Sequence, residues 1–142
     1  PVLKLSSRGP WLSYTIHALV VSPNGKLAAA AFTRTGTEGS IYMWEIDTGK
    51  KIAEWSGRKD VHAPIAFSPD GKTLAVRTYY EVYFFELVNE GGKTRGRDLQ
   101  RPCSLGDAEP QGEGIDFLDA NTLILTSERS RGRPGTIHRI QC

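Results

Sequence analysis

Phe67-Ser68-Pro69-Asp70-Gly71-Lys72-Thr73-Leu74-Ala75 is the stretch that decides the fold. Pro69 presets φ for the first central position of a turn. Asp70 tolerates the next position and can bond its own backbone, and Gly71 takes the positive φ that ends the turn. Apolar residues on both sides make two strands joined by a tight hairpin. The stretch Val20-Val21-Ser22-Pro23-Asn24-Gly25-Lys26-Leu27-Ala28 carries the same core. The two copies are about 46 residues apart, a spacing typical of repeat architectures. A weaker third copy runs Ile115-Asp116-Phe117-Leu118-Asp119-Ala120-Asn121-Thr122-Leu123. It lacks the glycine, and Asn121 is the expected occupant of the left-handed position.

Working outward, each hairpin is followed by a further strand: Ser40 to Ile46, Glu81 to Leu87, and Gly135 to Ile140. After the first, Asp47-Thr48-Gly49-Lys50 turns the chain into Lys51-Ile52-Ala53-Glu54-Trp55. One period therefore holds four short strands, a to d in chain order. In the first c strand, Ile41 and Met43 face one way and Tyr42 and Trp44 the other. Both sets are largely apolar, the pattern of a sheet covered on both faces. Asn89 to Arg97 reads as a polar, Gly-rich loop linking c to d in the second period. No segment carries an apolar stripe at helical spacing.

Composition excludes several classes. The 142 residues include 18 basic and 16 acidic side chains, for a net charge of +2. That balance argues against a nucleic-acid partner over the whole surface. No apolar run approaches the ~20 residues of a membrane span. The chain opens at Pro1 with no initiator Met, which reads as a mature or excised piece. Cys103 and Cys142 either pair, which would indicate an oxidising compartment, or remain free structural thiols.

The Phe67–Ala75 hairpin resembles the a–b hairpin of WD-repeat β-propellers. The run Gly39-Ser40-Ile41-Tyr42-Met43-Trp44-Glu45-Ile46-Asp47-Thr48-Gly49-Lys50 resembles the same family's stretch from Gly through Trp-Asp to Thr-Gly-Lys. The likeness covers roughly residues 11–142 and departs in detail. Glu45 stands where the family has Asp, Phe85-Glu86 stands for Trp-Asp, and neither His17 nor His62 sits where the family's Gly-His pair would. TolB-type propellers carry the hairpin without the WD-repeat family's Asp-His-Ser/Thr-Trp hydrogen-bond network and are also similar. The third period, from Pro110 to Phe117 and through Ile137 to Cys142, resembles the closing blade of secreted bacterial propellers. That resemblance implies an extracellular or periplasmic protein, with a cytoplasmic one as the alternative. It also implies a Cys103–Cys142 bridge.

The expected fold is thus all-β, with about three propeller blades of four antiparallel strands. Residues 1–10 supply an outer strand, 11–57 and 58–106 two blades, and 107–142 a blade lacking its outer strand. Val2-Leu3-Lys4-Leu5 is the candidate outer strand. Three blades do not close a ring, since propellers use ~4–8. Either a second copy completes a six-bladed homodimer, or a missing propeller half does.

Candidate chemistry is sparse. The Glu-Gly-Ile motif at Glu113, with Asp116, resembles that of lactonase- and phytase-like propellers, where a carboxylate helps hold a divalent metal such as Ca²⁺. A hard cation needs several oxygen ligands, and the other blades offer no matching carboxylate. His17, His62 and His138 share no metal-like spacing and read as structural. Arg129, Arg131, Arg133 and Arg139 form a basic group around the last b–c loop, suited to an acidic partner or to solvation. Trp11, Tyr14, Tyr79 and Tyr80 lie near strand ends, where aromatics either anchor partners or pack between blades. No nucleophile elbow or phosphate-cradling loop is present. The leading expectation is a non-catalytic protein-binding or scaffolding module without a cofactor. The alternatives are a secreted metal-dependent hydrolase and a structural subunit of an extracellular assembly.

Overall fold

The computed structural model describes residues 14–34, 39–58, 64–106, 112–129 and 132–142. Val2–Leu5, Trp11, His62 and Arg131 lie outside the described residues.

The turn chemistry read from the sequence is present in atomic detail, twice. Ser22 Oγ donates to Asn24 Oδ1 at 2.8 Å, that oxygen also accepts from the Lys26 amide at 3.0 Å, and the Leu27 amide donates to Ser22 Oγ at 2.9 Å. Ser68 and Asp70 repeat the set with the Lys72 and Thr73 amides at 2.7, 3.0 and 2.9 Å. Gly25 and Gly71 have φ of 70° and 69°, the left-handed region where a side chain is strained. Each hairpin also holds the strand beyond it, because the Lys26 and Lys72 carbonyls accept from the Ile46 and Leu87 amides.

The third hairpin is built differently. The Leu118 amide donates to the Thr122 carbonyl at 2.9 Å, and Asp119 Oδ1 accepts from the Asn121 amide. This shorter turn needs no left-handed residue. Asn121 does not have a positive φ, contrary to the sequence expectation.

The hairpins seed three antiparallel sheets. The first is β1 (Tyr14–Val21), β2 (Leu27–Arg34), β3 (Gly39–Glu45) and β4 (Lys51–Arg58), in that order. The second is β5 (Ile65–Phe67), β6 (Thr73–Arg77), β7 (Glu81–Glu90) and β8 (Lys93–Asp98), with β9 (Cys103–Ser104) also on β7. The third is β10 (Gly112–Phe117), β11 (Thr122–Ser127) and β12 (Thr136–Gln141). Most of Asn89–Arg97, expected as a loop, is strand. Gly91 and Gly92 alone make the turn, and Glu90 pairs with Lys93 through to Phe85 with Asp98. Pairing along the long β7 overrides the weak strand propensity of Lys-Thr-Arg-Gly-Arg-Asp.

Side-chain alternation decides how the sheets stack. In the second sheet, Leu74, Val76 and Phe85 join Leu27, Ala29, Ala31, Ile41 and Met43 of the first in one core. Their neighbours Ala75 and Val82 point the other way and pack on Leu123 and Leu125 of the third. The central sheet is therefore covered on both faces, as its near-continuous apolar strands require. Ala29 and Ala31 are fully buried in this core, and their small side chains let the second sheet approach closely. Burying a side chain the size of Phe85, which is fully enclosed, contributes about 1.5–3 kcal/mol.

Candidate functional site

The strands nearest the shared axis are β1, β5 and β10, which contact one another in turn, while the outer β4 meets β8. Val20, Val21, Pro23, Ile65, Ala66, Phe67, Ile115 and Asp116 line a cavity of about 230 Å³ among these inner strands. Asp116 thus borders this cavity, Glu113 does not, and both residues are exposed. Asp116 Oδ1 accepts from the Phe117 amide at 2.8 Å. Among the described residues no cluster of three or more His, Cys, Asp or Glu is arranged to hold an ion. His17 bonds Thr33 Oγ1 at 2.9 Å, and His138 sits in β12 opposite Leu125.

The b–c loops of the second and third sheets carry the other sequence candidates. Thr78 closes the first of these loops, its Oγ1 accepting from the Tyr80 and Glu81 amides. Tyr79 is half-buried, whereas Tyr80 is 63% exposed. Arg129 and Arg133 are exposed on the second loop.

Arg77 joins the second and third sheets beside these loops. It ends β6, one residue before Thr78, and is 0% exposed. Its Nη1 donates to the carbonyls of Gly114 at 2.7 Å and Thr126 at 2.6 Å, the latter at the foot of the Arg129–Arg133 loop. A Cβ on Gly112 would overlap the guanidinium and displace it, so glycine at this point leaves room for the cation to cross the strand. The sequence reading missed Arg77. The available signal was a cation closing the apolar run Leu74-Ala75-Val76, a position where burial demands partners.

Two further contacts fix the sheets at their outer edges. Trp55 of β4 stacks on Phe85 with ring centroids 4.3 Å apart and lies over Gly96 of β8, where any Cβ would strike the indole. Cys103 and Cys142 form a disulfide, with Cα atoms 5.6 Å apart, tying β9 to the end of β12.

Several solved structures share this radial stack. The chain superposes on U3-55K over 95% of its length with a TM-score of 0.59 and 19% identity, and covers 41% of that chain. The Cps50 (Swd1) β-propeller domain of Myceliophteria thermophila matches over 91% of the chain, at TM-score 0.51 and 11% identity, with 41% of it covered. The fold is a β-propeller.

Each sheet is accordingly a propeller blade. KlAtg21, solved in complex with the coiled coil of AgAtg16, also matches, at TM-score 0.57 and 15% identity, over 92% of this chain and 39% of that one. These WD-repeat propellers share the fold with the chain, which spans about two fifths of their length. No protein-family model and no curated protein matches.

Proposed function

We propose that the chain is a non-catalytic protein-binding module, using the paired b–c loops of its second and third blades. What supports this reading is the buried Arg77 tie from β6 to β10 and β11, which lies next to Thr78 at the base of the Tyr79–Tyr80 turn and bonds Thr126, three residues before the exposed Arg129. Exposed Tyr and Arg on a preorganised base are the side chains that dominate protein interfaces. The neighbouring Atg21 propeller, solved with a coiled-coil partner, is consistent with such a use.

Completion of the ring belongs to the same reading. Leu19 and Val21 on the first blade are 63% and 55% exposed, and β12 pairs with β11 alone among the described residues. Such faces and edges call for cover. Further blades, from a second propeller half or from a second copy closing a six-bladed ring, would supply it. The disulfide supports an extracellular or periplasmic setting.

A photo-crosslinkable residue at position 80 tests the proposal in the intact protein. Specific adducts that disappear when Arg133 is changed to Glu, and persist when Lys26 at the opposite hairpin is changed to Glu, are expected. Adducts indifferent to Arg133→Glu would reject the rim as the binding surface.

A further inference from the structure

The outer strand of the second blade is interrupted. β8 pairs with β7 as far as Phe85, the Leu99 amide still donates to the Phe84 carbonyl at 3.0 Å, and β9 resumes at Val82, so Gln100-Arg101-Pro102 leaves the sheet between them. Gln100 makes that departure in the left-handed region, at φ 52°, its amide donating to Asp98 Oδ1. The detour leaves a cavity of about 770 Å³ between the second and third blades. That volume falls within the ~300–1,000 Å³ range of small-molecule sites.

The walls define what would fit. Phe84, Leu99, Phe117 and Leu123 give apolar walls, open to solvent at Leu99, beside the Cys103–Cys142 bridge. Arg101 is the charged side chain in the lining, exposed and without an ion pair among the described residues. Asn121 adds one neutral amide. Two aromatic rings and a single guanidinium suit a ligand with a flat apolar body and one acidic head, since a carboxylate meets a guanidinium through two parallel hydrogen bonds. Tyr79, Tyr80, Arg129 and Arg133 take no part in the lining, so the cavity is separate from the loop surface. We propose that it is a binding site for a small aryl monocarboxylate, held by Arg101 and flanked by Phe84, Leu99 and Phe117.

Naphthylacetate is a soluble, fluorescent probe of this class, with naphthylethanol as its uncharged counterpart. Titration of the disulfide-bonded protein should show saturable one-to-one binding of the acid and about tenfold weaker binding of the alcohol. Arg101→Gln should reduce the acid to the affinity of the alcohol while leaving the alcohol unchanged. Leu99→Asp should abolish both. The two substitutions fall at exposed or partly exposed positions, and a thermal melt of each checks folding. No saturable binding of the acid, or acid binding unaltered by Arg101→Gln in a folded variant, would overturn the proposal.

Discussion

Arg77 Nη1 donates to the carbonyl oxygen of Thr126 at 2.6 Å, joining residues 49 positions apart in the chain. The cation is fully enclosed, so its partners carry more weight than the same contact would at the surface. Arg77→Met keeps much of the volume but strands two carbonyls. We expect a loss of about 2–4 kcal/mol in urea unfolding. Gly112→Ala should mimic it by displacing the guanidinium. A change below about 0.5 kcal/mol in both would show that the tie is dispensable.

The same logic applies where Trp55 covers Gly96. Gly96→Ala forces the indole off Phe85, and overpacking of this kind costs about 1–3 kcal/mol. Gly92 is the control: its Cβ would meet nothing within 4 Å, so Gly92→Ala carries only the strain of φ 78°. Tryptophan emission should shift with the first substitution and not with the second.

Hydrogen bonds from Ser68 and from the Lys72 amide hold the Asp70 carboxyl below the usual carboxylate range. A carboxylate depressed in the folded state stabilises above its unfolded pKa, and that contribution is lost as pH falls through the folded value. The second hairpin should therefore loosen on acidification, while the first, built on the neutral Asn24, should not. Because Asp70 is exposed the effect is small and screened by salt. Amide exchange at Lys72, compared with Lys26 down the acid limb, measures it. Asp70→Asn should make the two hairpins respond alike.

The Cys103–Cys142 bridge closes a loop of sequence separation 39. On chain entropy, its removal costs about 4 kcal/mol. Cys103→Ser with Cys142→Ser should lower the unfolding midpoint accordingly, and the third blade should lose amide protection before the first two. Equal protection in all three blades would show that the bridge does not hold the third blade in place.

What could be read along the chain was what short-range chemistry determines. The Ser-Pro-Asn/Asp-Gly-Lys hairpins bond within themselves, over a separation of 5 at most, from Ser22 to Leu27 and Ser68 to Thr73. The alternation of Ile41 and Met43 against Tyr42 and Trp44 likewise follows from strand geometry alone. These two features named the blades, and the separate resemblance of the third period to a closing blade pointed to the disulfide.

Elsewhere the tertiary structure decided. Lys93 to Asp98 became a strand because β7 was long enough to pair with it, despite a sequence that reads as loop. Gly96 and Gly112 are explained only by a Trp and an Arg arriving from neighbouring blades. Arg77 has partners only because stacking places Gly114 and Thr126 against it, 37 and 49 residues away. The two b–c loops and the cavity beside Arg101 likewise depend on which blade packs on which. Local turn preferences fix each hairpin independently, whereas a site between blades exists only once burial of both faces has set their order and spacing.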